Sequence, residues 1–229
     1  MKKGLTELVF ILDQSGSMYN LVDDTVGGFN TMIEKQKGIE GEANVSLILF
    51  NNIVKMVYDN VPLEKIEPLT TETYFPGGST ALYDAIGGTV SNVGRRLSNT
   101  KEEERPEKVI VVVTTDGYEN ASKEYTSTKI SDMIKHQREK YSWEFIFLGA
   151  DLDTVEKASQ LGFNPDFTCT WTTSSAGMES YTKGLSNAIS TMRSCDLANG
   201  ESYTAVTNSL KSIDIERNDV CGFTTVTNE

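Results

Sequence analysis

Continuous apolar runs recur along this chain, separated by stretches in which apolar residues return every three or four positions. Leu8-Val9-Phe10-Ile11-Leu12, Val45-Ser46-Leu47-Ile48-Leu49-Phe50, Val109-Ile110-Val111-Val112-Val113 and Phe145-Ile146-Phe147-Leu148 lack period-two alternation. Strands of that kind are buried on both faces, as in a parallel sheet covered by helices. After Asn51-Asn52 the stretch from Ile53 to Tyr58 alternates more. Two such segments joined by Asn-Asn read as a hairpin, which places an antiparallel strand at the sheet edge. Phe167-Thr168-Cys169-Thr170-Trp171 is a weaker strand candidate.

Four amphipathic helices are expected between these strands. Their apolar faces carry Val22, Val26, Phe29 and Ile33; Leu82, Ile86, Val90, Val93 and Leu97; Ile130, Met133, Ile134 and Tyr141; and Tyr181, Leu185, Ile189 and Met192. Gly27-Gly28 inside the first costs about 1 kcal/mol per glycine in helix propensity, so close packing of that helix on the sheet is expected. Alternating strands and helices predict an α/β fold, with a mostly parallel sheet and right-handed connections. Residues 1–193 read as one domain. Residues 194–229 are rich in Ser, Thr, Asn, Asp and Glu, have few large apolar residues and show no sustained period. They read as a polar C-terminal tail, with a short element near Ser209–Ile215 as the alternative.

The 229 residues suit one such domain of about 200 residues and a tail. The formal charge of −12 removes any chain-wide attraction for phosphate backbones or anionic lipid, and the densest charge run, Lys101 to Arg105, is mixed in sign. Neither nucleic acid nor membrane is therefore an expected partner, and no apolar run approaches the roughly 20 residues of a membrane span. The first apolar run ends at Asp13, too soon for a secretory signal. Cys169, Cys195 and Cys221 have neither metal-ligand nor redox spacing and fit a reducing cytoplasm.

In an open parallel sheet, ligands bind beyond the carboxyl ends of the strands where strand order reverses. Asp13-Gln14-Ser15-Gly16-Ser17 follows the first run, and Thr114-Thr115-Asp116-Gly117 follows the run ending at Val113. Pro76-Gly77-Gly78-Ser79-Thr80 precedes the helix that begins near Leu82. All three loops are rich in oxygen and contain neither His nor Cys. Mg²⁺ favours six oxygen ligands, with one or two protein carboxylates among them. The i, i+2, i+4 spacing of Asp13, Ser15 and Ser17 lets a turning loop aim three oxygens at one centre, with Gly16 permitting the tight backbone. Thr80 and Asp116 can add a hydroxyl and a second carboxylate. Two carboxylates among neutral ligands leave a dication electrophilic and open to an incoming anionic oxygen.

Asp13-x-Ser15-x-Ser17, Thr80 in Gly-Gly-Ser-Thr-Ala-Leu-Tyr-Asp and Asp116 in Thr-Thr-Asp-Gly together resemble the metal-ion-dependent adhesion site (MIDAS) of von Willebrand factor type A domains. The resemblance covers roughly Leu5 to Arg193. It implies a doubly wound, Rossmann-like sheet with one antiparallel edge strand and helices on both faces. It further implies that Ser15 and Ser17 bind Mg²⁺ directly, that Asp13 and Asp116 bind it directly or through water, and that Thr80 joins in the ligand-competent state. Mn²⁺ and Ca²⁺ are alternatives to Mg²⁺. The implied partner is a protein that presents an Asp, a Glu or a C-terminal carboxylate to the metal. With no signal peptide or disulfide framework in view, the expectation is a cytoplasmic member of bacterial or phage type. In some family members the final helix, here the one with Tyr181 to Met192, shifts on ligand binding.

Tyr19, Tyr83 and Tyr118 are candidate rim residues for partner binding, since aromatic side chains are favoured at interface hot spots. Glu119, beside Asn120, lies on the same face. Asp84 and Asp23-Asp24 read as helix-dipole partners, and His136 as a surface residue. The rival reading is a metal-dependent hydrolase or phosphotransferase at the same sheet edge. Haloacid-dehalogenase-like chemistry needs a second aspartate where Ser15 stands, and a Lys or Arg that none of the three loops supplies. No nucleophile–base pair is visible either, so the sequence points to a non-enzymatic binding module.

Overall fold

A computed structural model describes residues 1–150 and 152–220. Its elements are β1 (Lys2–Asp13), α1 (Val22–Lys37), β2 (Glu42–Phe50), β3 (Val54–Pro62), α2 (Leu82–Asn99), β4 (Pro106–Thr115), α3 (Ser127–Tyr141), β5 (Glu144–Gly149), α4 (Leu152–Gln160), β6 (Thr168–Thr170), α5 (Ser175–Ser194) and α6 (Gly200–Val220). The strands form one sheet in the order β3-β2-β1-β4-β5-β6, and only β3 is antiparallel to its neighbour. Strand order reverses between β1 and β4, and this switch point sets where a ligand can bind.

Period-two geometry sends successive strand residues to opposite faces, and here both faces are buried. On one face Leu8, Phe10, Leu12, Ile110, Val112, Ile146 and Leu148 join the apolar sides of α1, α5 and α6. On the other, Val9, Ile11, Val111, Val113, Phe145 and Phe147 meet α2, α3 and α4. The β1 and β4 side chains from Leu8 to Leu12 and from Val109 to Val113 are at most 5% exposed. That is why these runs carry no alternation in the sequence.

Three expectations change. Gly28 packs against α5 rather than the sheet: a Cβ there would lie 2.5 Å from the Thr182 Oγ1, whereas Gly27 faces open space. α4 was not anticipated. Within the segment read as a polar tail, Gly200–Val220 forms α6, and its Val206, Leu210 and Ile213 are buried. Gly184 on α5 allows this close approach, since a Cβ there would sit 2.5 Å from Ile213 Cγ1 and 2.7 Å from the Ser209 carbonyl. Three apolar residues one turn apart among many polar ones gave too thin a stripe to read without α5 beside it. Residues 221–229, including Cys221, lie outside the described residues. Among the described residues no helix is long and apolar enough to cross a membrane.

Candidate metal centre

Parallel pairing brings the β1 and β4 ends to the same edge, with Leu12 opposite Thr114. Asp13 closes β1 and is 1% exposed. Its Oδ1 accepts from the Ser15 amide at 2.7 Å and its Oδ2 from the Thr115 hydroxyl at 2.6 Å. Ser15 Oγ lies 3.1 Å from Ser17 Oγ, which donates to Asp116 Oδ1 at 2.6 Å. These contacts join the first loop to the third through side-chain oxygens. Thr80 completes the group: a Cβ added at Gly117 would lie 3.3 Å from Thr80 Oγ1 and 3.8 Å from Ser17 Oγ. All five sequence-predicted metal residues thus converge at the switch point. Asp13, Ser15 and Thr80 form the buried floor, while Ser17 is exposed and Asp116 half-buried, so the centre opens to solvent.

The backbone around this group is cross-braced. Gly16 N–H donates to the Gly78 carbonyl at 3.1 Å, and Gly77 N–H to that of Gln14 at 2.9 Å. Gly78, not Gly16, has the conformation that demands glycine. Its φ is +77°, and a Cβ would sit 2.1 Å from Asn52 Oδ1. Beneath the site the buried Tyr74 hydroxyl donates to the Asp13 carbonyl at 2.6 Å. The third loop grips the second at Thr80: its amide donates to Asn120 Oδ1 at 2.9 Å, and its carbonyl accepts from the Asn120 and Ala121 amides.

Sequence reading missed the roles of Thr115 and Tyr74 and placed Asn120 on the metal face without its clamp on Thr80; these bonds are made across long stretches of chain. Asp84, read as a helix-dipole partner, instead accepts from the amides of Lys123, Glu124 and Tyr125 at 2.8–2.9 Å. Glu119, a partner-binding candidate, spends its carboxylate on the amides of Tyr83, Ala121 and Ser122 and on the Ser122 hydroxyl. Its visible role is to fasten the third loop to the start of α2. Tyr83 is half-buried against the α2–α3 side of the core. Tyr19 and Tyr118 are exposed, at 67% and 45%.

Burial pushes the Asp13 carboxyl up to about 6; bonds from Thr115 and Ser15 oppose the rise, and the Asp116 charge adds to it. Burial likewise raises Asp116, against the Ser17 hydrogen bond. Among the described residues neither carboxylate has an ion-pair partner. Two adjacent acids, one buried and one half-buried, have no cation partner among the described residues and are ringed by three hydroxyls; they fit a hard dication in charge and in donor type. Among the described residues no three His, Cys, Asp or Glu side chains gather at one point. The donor set here has only two carboxylates, and hydroxyls make up the rest.

An α/β sheet with one antiparallel edge and an oxygen-lined switch point defines a doubly wound domain with a candidate cation centre. The chain belongs to the von Willebrand factor type A domain family, whose model matches residues 7–184. Comparison with curated proteins found no match. Similar solved structures include proximal thread matrix protein 1 from the mussel byssus, with a zinc-occupied MIDAS motif (15% identity, TM-score 0.57, covering 82% of this chain and 46% of that one). The open conformation of the pilus adhesin SpaC from Lactobacillus rhamnosus GG is another (14%, TM-score 0.60, 84% and 30%). A third is the manganese-loaded TRAP protein of Plasmodium vivax (14%, TM-score 0.53, 77% and 72%). At such identities the likeness shows the fold. This chain spans less than half the length of the mussel protein structures it matches.

Proposed function

We propose that this chain is a non-enzymatic, divalent-metal-dependent protein-binding module. Asp13, Ser15, Ser17, Thr80 and Asp116 hold Mg²⁺, with Mn²⁺ or Ca²⁺ as alternatives, and the centre captures an Asp, Glu or C-terminal carboxylate of a protein partner. One observation carries the reading: a buried carboxylate, a half-buried one and three hydroxyls from three loops meet at the switch point, with no cation among the described residues to offset the acids. The metal supplies positive charge and a coordination position for the partner's oxygen. The protein supplies the acids that retain it, the hydroxyls that leave its charge largely unquenched, and the braces through Thr115, Tyr74 and Asn120 that fix their positions. Relatives of the same fold that contain zinc or manganese support a divalent ion of this class.

The hydrolase alternative has less support. The chain's single histidine, His136, lies at the opposite edge of the sheet, near Pro106 and Trp143, and Ser15 occupies the position where a second aspartate is needed. A cytoplasmic setting belongs to the same proposal; fractionation of cells expressing the natural protein tests it. The test of function is a calorimetric Mg²⁺ titration of metal-free protein. One site is expected, abolished by Asp13→Ala and weakened by Thr80→Ala. Failure of the intact chain to bind Mg²⁺, Mn²⁺ or Ca²⁺ overturns the reading.

A further inference from the structure

Resting on that metal-site reading, we infer that an apolar rim surrounds the centre, and that the partner presents one acidic residue flanked by apolar side chains, not an acidic cluster. Seven large hydrophobic side chains are exposed among the described residues. Four of them, Tyr19, Ile53, Phe75 and Tyr118, sit on the loops that border the metal residues, and a fifth, Val54, opens β3 beside Ile53. The other two, Met1 and Tyr141, lie at the opposite edge. Single exposed hydrophobics need no explanation, but a group around one functional centre marks an interaction surface.

The rim is held outward by its backbone. Phe75 is 73% exposed, yet it stands between two fixed points. On one side the Tyr74 ring is buried with its hydroxyl on the Asp13 carbonyl; on the other the Gly77 amide is bonded to Gln14. Ile53, 66% exposed, tops the β2–β3 turn. That turn is anchored by Asn51, whose side chain donates to the Gly77 carbonyl at 2.7 Å and whose carbonyl accepts from Ala81. Tyr19 follows Ser17 by two residues, and Tyr118 follows Asp116 by two. Lys157 Nζ lies 4.3 Å from the Tyr118 ring centroid and adds a positive charge on that side. The backbone on either side of Phe75 and Ile53 is tied into the braces of the metal loops, and their apolar surface is exposed for a partner to cover.

Charge selects the partner's chemistry. The net charge of −12 repels an acidic surface at long range. The attraction of the centre for a carboxylate is local, within the Debye length of about 8 Å at physiological salt. One carboxylate therefore gains from the centre, while further acids beside it meet apolar rings and a negative protein on every side but that of Tyr118, where Lys157 stands. Apolar flanks lose nothing to the net charge and gain by covering Phe75, Ile53 and Tyr19.

The experiment measures fluorescence anisotropy of labelled, N-acetylated and C-amidated nonapeptides against the full chain in Mg²⁺. Each has a central Glu with Leu/Phe, Ser/Gly, Lys or Glu flanks, and a Leu/Phe peptide with central Gln is the control. The Leu/Phe-flanked Glu peptide is expected to bind about tenfold tighter than the Ser/Gly one, and the Gln control not to bind. The double variant Phe75→Ser, Ile53→Ser is expected to lose that preference while its calorimetric Mg²⁺ binding is unchanged. Equal or tighter binding of the Ser/Gly, Lys or Glu peptides overturns the rim, as does no peptide binding by Mg²⁺-loaded protein. Tighter binding of an added Ser/Gly peptide with central Gln and a free C-terminal carboxylate also overturns it, and so does Mg²⁺-dependent self-association, read by sedimentation, that Phe75→Ser abolishes. Loss of Mg²⁺ binding in the intact chain is a separate outcome and overturns the metal site instead.

Discussion

The two ends of the sheet treat buried charge in opposite ways. In the lower half Lys108, Arg193 and Glu7 meet protein partners of complementary character, although Glu7 Oε2 and Arg193 Nε are left without a hydrogen bond. Lys108 Nζ donates to the carbonyls of Met192, Arg193 and Cys195 at the end of α5, where the helix dipole is negative. Arg193 donates to the Gln36 and Gly41 carbonyls, and the buried Glu7 pairs with Arg96 and accepts from Ser46. At the upper edge Asp13 and Asp116 receive hydroxyls and an amide, but no cation among the described residues. The lower half offsets these charges with the protein's own groups, whereas the upper edge leaves its two acids without a cation among the described residues, which is the feature the proposed metal site rests on.

Breaking a pair in the lower half has the largest expected effect. Arg96→Ala leaves the Glu7 carboxylate, 1% exposed, without its counter-charge. It is expected to cost about 3 kcal/mol in urea unfolding while the Mg²⁺ titration stays as in the parent. A parallel loss of metal affinity would show that the two ends are coupled. Next in size, Mg²⁺ at 100 times its dissociation constant is expected to raise stability by about 2.7 kcal/mol, and EDTA to reverse it. Asp13→Ala is expected to erase that increment, and Arg96→Ala to leave it intact.

A smaller effect is expected from the clamp on Thr80. Asn120→Ala removes the acceptor of the Thr80 amide, and Mg²⁺ affinity is expected to fall by about tenfold, read by calorimetry, with the melting temperature little changed. The smallest effect is one of pH. Burial raises the Glu7 carboxyl above its ordinary 4.5, against the opposing influence of Arg96. Between 4.5 and the raised value the native state keeps a proton that the unfolded chain has released. This group's contribution to stability is therefore full below 4.5 and is lost as pH climbs through the raised value. Glu7→Gln is expected to flatten that part of the metal-free stability profile, measured by thermal unfolding. An unchanged slope would place the proton elsewhere.

Much of this molecule could be read from its residues. The unalternating runs at Leu8–Leu12 and Val109–Val113 became central strands because double burial removes the polar positions that alternation requires. Asn51-Asn52 marked the hairpin to the antiparallel edge for a local reason of turn chemistry. The convergence of Asp13, Ser15, Ser17, Thr80 and Asp116 at one sheet edge was legible because each follows a strand or precedes a helix at a fixed offset. α6 was legible only as the alternative of a short element near Ser209–Ile215: its buried stripe of Val206, Leu210 and Ile213 acquires meaning against Gly184 of α5. Glu119 likewise read as a surface acid, and only the folded loop shows four donors converging on it.

By itself the sequence determined the layering of the fold, the edge at which chemistry gathers and the oxygen-rich character of its donors. Those depend on local periodicity and on offsets of a few residues. The tertiary structure alone decided that Thr115, Tyr74 and Asn120 brace the site, that Glu119 and Asp84 fasten a loop, and that Phe75 and Ile53 stand outward beside Tyr19 and Tyr118. Each of those depends on contacts between segments tens of residues apart. Such contacts exist only once the parallel sheet has brought the ends of β1 and β4 together.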